Sequence, residues 1–224
     1  QETNELIPVN ENGSYLLKAA YTFDFSILEI VGWFSNGGSI TILPDGEEGN
    51  PREIIRSIET HQVSHINFVP SMFSIFLEEL KTDGNLNRIS SIQKIVLGGE
   101  VLPIETLREF NALGTNIEMR NIYGPTETTI YSSSYLTADF DNTSSIPIGK
   151  PQSNVQLYVL DKYGKMLPKG VLGELCIGGK GLAAGYLNNE ELTNKVFVNY
   201  PDLTSGKVYR SGDLVRWLPD GNIE

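Results

Sequence analysis

Cysteine is almost missing from this sequence: Cys176 is the only one in 224 residues. No intramolecular disulfide and no cysteine-based zinc site can form. Long apolar runs are missing too. Although 40% of the residues are hydrophobic, no uninterrupted stretch approaches the roughly 20 residues that a membrane-spanning helix needs. Gln1 to Asn12 is polar and acidic, without the basic-then-apolar order of a secretory signal. These absences predict a cytoplasmic protein with no membrane partner. Histidine is scarce: His61 and His65 flank one helix–strand turn with no carboxylate or cysteine at ligand spacing, so neither is expected to bind metal. Positive charge is also short, with 17 Lys and Arg against 28 Asp and Glu and a net charge of −11. A surface that negative repels phosphate backbones, so no nucleic-acid partner is expected. Any nucleotide site must draw positive potential from backbone N–H groups, a metal ion, or residues outside this chain.

What is present is a change of texture near residue 150. Before it, helical and strand patterns alternate. Asn50-Pro51-Arg52-Glu53 reads as a cap, a first-turn proline and an acidic residue that open a helix through His61. His65 to Val69, Lys94 to Leu97 and Ile117 to Tyr123 read as strands, with helices over Ser71 to Lys81 and Pro103 to Leu113, the latter stopped by Gly114. Strands joined by helices of this length imply crossovers and a mainly parallel sheet. After Pro151, Val155 to Leu160, Gly173 to Ile177 and Tyr209 to Trp217 read as strands separated by turn signals at Tyr163-Gly164, Pro168-Lys169-Gly170 and Pro219-Asp220-Gly221. The expectation is an α/β part over 1–150 and a β-rich, antiparallel, barrel-like subdomain over 151–224. Glu224 follows a hairpin turn whose returning strand has only begun, so the chain is expected to be a piece of a longer protein.

The run Asn121-Ile122-Tyr123-Gly124-Pro125-Thr126-Glu127-Thr128-Thr129 stands at the end of a predicted parallel strand, where ligands of open α/β sheets bind. Gly124-Pro125 forces a turn that can present a hydroxyl and a carboxylate side by side. Thr126 could donate to a phosphate oxygen, Glu127 could hold Mg²⁺, and Tyr123 could stack on a base. The same residues also read as a strand-ending turn with a core tyrosine and a solvated glutamate. Asp24, ahead of the apolar helical run Ile27 to Phe34, reads as a helix cap. Cys176 lies in a strand with no basic neighbour in sequence and is expected to be packed, not reactive.

Asn121 to Thr129 resembles the nucleotide-binding motif of the adenylate-forming enzymes, and specifically of nonribosomal peptide synthetase adenylation domains. Four further signatures follow that family's order: Phe23-Asp24-Phe25-Ser26, Leu97-Gly98-Gly99-Glu100, the run Gly173-Glu174-Leu175 through Gly185-Tyr186-Leu187, and Tyr209-Arg210-Ser211-Gly212-Asp213-Leu214. The resemblance implies a fragment of the adenylate-forming fold and the activation of an amino acid by ATP and Mg²⁺. The aminoacyl group would then pass to a pantetheine thiol on a peptidyl carrier domain, beside neighbouring synthetase domains. By position it places Tyr123 against the adenine, with Ile122, Gly99 and Glu100 beside the nucleotide, and Asn121 on the adenine amino group. It puts Thr126 at the α-phosphate, Glu127 on Mg²⁺ and Asp213 at the ribose. It also pairs Asp24 with the substrate ammonium and maps a side-chain pocket onto Phe25, Leu28, Asn67, Val96, Gly98, Ile122, Ile130 and Tyr131. None of these pocket residues is charged, which implies a neutral substrate side chain.

The sequence departs from the family pattern in four places. The family's glycine-, serine- and threonine-rich loop with lysine, the arginine expected shortly after the final hairpin, and the lysine of its C-terminal domain are not in these residues. Ala184 stands where the family usually carries arginine. Two other readings remain open: a stand-alone carrier-protein ligase or acyl-CoA synthetase, and a non-catalytic interaction module that keeps the fold.

Overall fold

The structure is a computed structural model, and it describes residues 12–34, 37–141 and 145–224. Most of the polar start, Gln1 to Asn12, lies outside the described residues. The chain divides into two compact units, one of residues 1–121 and 136–146, the other of residues 122–135 and 147–224.

The first unit is built on parallel strands. β1 (Ser14–Leu17) pairs with β2 (Ser39–Ile42) and β3 (His65–Phe68), and β4 (Lys94–Leu97) lies between β3 and β5 (Glu118–Tyr123). β3 and β4 are buried at every position, as expected of strands covered on both faces. Among the described residues four helices connect the strands: α1 (Phe25–Val31), α2 (Pro51–His61), α3 (Pro70–Asp83) and α4 (Ile104–Asn111). α2 starts where its sequence says it should. Asn50 Oδ1 accepts from Arg52 N at 3.1 Å, Pro51 is pre-set for the first turn, and Ile54, Ile55 and Ile58 make the buried face. α3 stops at Gly84, in a left-handed conformation with φ of 68°. Its Phe73 and Phe76 pack on Phe68, and Phe73 also meets Phe110 of α4. The helix expected through Leu113 ends earlier, at Asn111, and Gly114 turns the chain with φ of 65°.

The second unit is antiparallel. β5 delivers its last two residues, Ile122 and Tyr123, into it. β6 (Ser133–Leu136) pairs with the short β7 (Lys150–Pro151). β8 (Val155–Leu160), β9 (Gly173–Gly179), β10 (Phe197–Asn199) and β11 (Lys207–Val215) form a sheet in the order β10-β11-β9-β8. One helix, α5 (Glu190–Val196), precedes β10 and buries none of its residues. The sheet core is Leu157, Val159, Leu175, Ile177, Val215 and Ile223, with Tyr123 and Trp217 packed against it. Each such fully buried aliphatic side chain contributes about 1.5–3 kcal/mol. The register of β11 on β9 shifts between Arg210 and Leu214, and this irregularity carries Ser211, Gly212 and Asp213. Among the described residues no helix is long and apolar enough to cross a membrane.

Candidate functional site

Tyr123 ends β5, and the chain turns at once. Thr126–Thr128 form a single 3₁₀ turn after Pro125, and Thr129 and Ile130 follow with φ of 65° and 72°. Two consecutive β-branched residues in the left-handed region are uncommon, because their branched side chains crowd the backbone there. Such backbone persists only where its surroundings over-determine it. Here they do. Ser132 N donates to Tyr123 O at 2.7 Å and closes the loop, while Thr128 Oγ1 donates to Pro125 O at 3.0 Å and meets Ser132 Oγ at 2.7 Å. Gly124 is required by this closure, since a Cβ there would lie 2.3 Å from Tyr131 Cα. The result is a rigid turn with Thr126 exposed and Glu127 half-buried.

The second unit holds five of the expected nucleotide residues, Ile122, Tyr123, Thr126, Glu127 and Asp213. Asp213, on the irregular part of β11, accepts a hydrogen bond from the Tyr123 hydroxyl. Burial, and then the Asp213 carboxylate, push the Tyr123 pKa upward, so the phenol stays protonated and remains a donor. Ser211 Oγ donates to Leu175 O at 2.8 Å and accepts from Asp213 N at 3.1 Å, which fixes the backbone beneath Asp213. Glu127 Oε1 accepts from the Tyr186 hydroxyl at 2.5 Å. Among the described residues no three His, Cys, Asp or Glu side chains gather as a metal cage. One firmly held carboxylate fits Mg²⁺, which is commonly carried by one or two carboxylates together with a ligand's phosphates.

The first unit holds the other group. Asn67 pairs in register with Val96, and Leu97 with Asn121, at the carboxyl ends of β3, β4 and β5. Gly98 N donates to Phe68 O at 3.2 Å, and Gly99 follows with φ of 86°. Leu28 and Val96 are buried and Phe25 is half-buried. Asn67 is fully buried; its Oδ1 accepts from Tyr15 OH at 2.8 Å, while its Nδ2 has no partner. Glu100 is already engaged: its two oxygens accept from Ser71 N at 2.9 Å and Ser71 Oγ at 3.0 Å, at the start of α3. Ile122, Ile130 and Tyr131 belong to the second unit.

Two expectations need correction. Asp24 precedes α1, yet its side chain makes no capping bond; its own backbone is already helical, which turns the carboxylate away from the first-turn N–H groups. Its buried Oδ2 has no partner. Cys176, read as lacking a basic neighbour, faces Arg210 across the β9–β11 ladder. Arg210 is bound to Glu174 at 2.5 Å, and burial dominates, pushing the thiol pKa up to about 12. Sequence reasoning also missed two residues. Glu29 is fully buried and accepts from Lys18 N and Ala19 N at 2.9 and 2.8 Å, tying α1 to the end of β1. Tyr186 sits in a motif whose glycines read as turn-forming, and a lone tyrosine there gives no signal of its own.

The AMP-binding enzyme family model matches residues 2–187. A linear gramicidin synthase of Brevibacillus parabrevis is 43% identical over 220 residues, covering 98% of this chain and 4% of the relative. Zwittermicin A synthase ZmaJ of Bacillus cereus is 41% identical over 224 residues, covering 98% of this chain and 42% of the relative. The chain thus spans less than half the length of either. The solved nonribosomal peptide synthetase FmoA3, in forms that include one bound to AMPPNP and one to alpha-methyl-L-serine-AMP, superposes with a TM-score of 0.93 at 27% identity. The match covers 100% of this chain and 24% of FmoA3. PA1221, solved as a protein with adenylation and PCP domains, matches with a TM-score of 0.87 at 25% identity, over 100% of this chain and 39% of that one. With the motifs, the fold and the relatives in agreement, the chain belongs to the AMP-binding enzymes and, within them, to the adenylation domains of nonribosomal peptide synthetases.

Proposed function

We propose that this chain carries the nucleotide and amino-acid contacts of a domain that activates an amino acid with a neutral side chain as its aminoacyl-AMP. The carboxylate oxygen of the amino acid attacks the α-phosphorus of ATP, the bond to the β-phosphate oxygen breaks, and pyrophosphate leaves. A pantetheine thiol on a carrier domain then attacks the acyl carbon, the acyl–phosphate bond breaks, AMP leaves and the thiol proton is released as the thioester forms. In this reading Thr126 donates to an α-phosphate oxygen and Glu127 holds Mg²⁺, which supplies charge neutralisation at the phosphates. Tyr123 lies against the adenine, and its hydroxyl fixes the Asp213 carboxylate toward the ribose. Catalysis is mostly positioning and electrostatic stabilisation.

The observation that carries the amino-acid reading is the Asp24 carboxylate. Its Oδ2 is buried and unpartnered, and the capping role that would account for it is not made. Asp24 as a whole is half-buried, but a carboxylate oxygen buried without a partner carries a desolvation cost that a substrate ammonium would offset. FmoA3 bound to alpha-methyl-L-serine-AMP and PA1221 with its PCP domain support the aminoacyl-AMP product and the carrier acceptor. A stand-alone ligase in the cytoplasm is the second reading.

Amino-acid-dependent ATP–pyrophosphate exchange by the complete protein, across a panel of amino, aryl and fatty acids, tests the proposal. Exchange is expected with one or a few neutral amino acids. Exchange driven by an aryl or fatty acid alone would overturn it.

A further inference from the structure

The segment after β9 grips the Thr126–Thr129 turn at three points. Thr129 Oγ1 donates to Gly181 O at 2.6 Å, Ala183 N donates to Glu127 O at 2.8 Å, and Tyr186 OH donates to Glu127 Oε1 at 2.5 Å. The first two fix the backbone on either side of Glu127's neighbour Thr128; the third fixes the carboxylate itself. Ala184 contributes no side chain to this grip.

Tyr186 is itself held from several sides. Its N–H donates to Thr193 Oγ1 at 2.8 Å, and Thr193 Oγ1 donates to Asn189 O at 2.8 Å, anchoring the tyrosine to the first turns of α5. Its ring meets Phe197 edge-on at 5.9 Å, and Phe197 packs on Tyr209 at 5.2 Å. Gly185 makes this approach possible, because with φ of 146° a Cβ there would lie 2.4 Å from Thr193 Cγ2.

We propose that Tyr186 is a positioning residue for Glu127, docked on α5 and β10 so that its hydroxyl orders the carboxylate for a divalent cation. The proposal rests on the reading of Glu127 as the Mg²⁺-holding group. A half-buried glutamate still has three side-chain torsions to order before it can bind a metal, and a hydroxyl on Oε1 orders them beforehand. Outer partners of metal-binding carboxylates act in this way, and their loss weakens metal binding about 10- to 100-fold.

Tyr186→Phe in the complete protein keeps the ring on Phe197 and removes only the hydroxyl. Mn²⁺ binding followed by electron paramagnetic resonance in the presence of AMPPNP should weaken about tenfold. The Mg²⁺ concentration for half-maximal exchange should rise by a similar factor, while the rate at saturating Mg²⁺ and the KM for the amino acid stay near wild type. Thr193→Val, which removes the anchor of the Tyr186 N–H but keeps the shape, should shift Mn²⁺ binding in the same direction by less. Glu127→Gln is measured alongside. If Glu127→Gln weakens Mn²⁺ binding and neither Tyr186→Phe nor Thr193→Val does, the positioning role is overturned and the role of Glu127 stands. If Glu127→Gln leaves Mn²⁺ binding unchanged, the Mg²⁺ reading falls and the positioning role with it.

Discussion

Asp24 is the residue whose environment says most about the substrate. Replacing it with Asn removes the charge and keeps the size, so a paired ammonium would be left buried and uncompensated. Asp24→Asn should raise the KM for the amino acid by the equivalent of about 2–5 kcal/mol, with little change in the KM for ATP. The melting temperature should not fall, because no capping bond is lost. Exchange kinetics and a thermal melt on the same protein check both halves, and an unchanged amino-acid KM would remove the ammonium role. Cys176 makes the opposite kind of case. Burial, helped by Glu174, keeps its thiol protonated to about pH 12, so native protein should react with iodoacetamide at pH 8 far more slowly than denatured protein. The linkage sign follows. Above pH ~8.5 the unfolded thiol gives up its proton while the native one keeps it, so the unfolded state binds fewer protons and stability falls as pH rises. The thiol's share of stability is whole below that pH and drains away toward pH 12. A urea-unfolding series from pH 7 to 10, comparing wild type with Cys176→Ala, isolates it.

The elements show where sequence signals are strong. α2 was legible to the residue, because cap, proline, acid and an apolar face all agree. β4 and β8 were equally clear as short apolar or alternating runs. β2, β6 and α5 went unread for identifiable reasons. β2 is nowhere fully buried, β6 is serine-rich, and α5 buries no residue and so carries no apolar periodicity. Asp24 as a cap was a plausible local reading that the backbone angles reject. Glu100 illustrates an element-scale role hidden in a loop motif. Its carboxylate serves as the first-turn acceptor of α3, where the residue before the helix, Val69, has no side-chain acceptor to offer. Glu100→Ala should destabilise by about 1 kcal/mol, typical of a lost cap; a differential thermal melt reads this directly. An unchanged melting temperature would mean that α3's first turn needs no such acceptor.

At the scale of the whole molecule, the charge of −11 has a structural counterpart. Arg52, Arg88, Arg120, Arg210 and Arg216 each bind a carboxylate within their own unit. These pairs leave those guanidinium groups committed to the scaffold. The 224 residues expressed by themselves should therefore give no amino-acid-dependent pyrophosphate exchange at any Mg²⁺ concentration, since the cationic loop and lysine of the family pattern are not among them. Robust exchange by that polypeptide would show that Thr126 and Glu127 suffice without them.

The sequence by itself determined the parallel and antiparallel strand patterns, the family, and which residues stand at the ends of β3, β4 and β5. These follow from short-range periodicity, capping and motif order, all of which are written along the chain. Tertiary structure alone decided that Tyr123 donates to Asp213, ninety residues away, and that Tyr186 holds Glu127, fifty-nine residues away. It also decided that Asp24 Oδ2 is buried without a partner, that Glu100 is occupied, and that Arg210 lies beside Cys176. Partnerships of this kind depend on strand register and on a turn closed by backbone hydrogen bonds, and no local pattern of residues encodes which distant hydroxyl will meet which carboxylate.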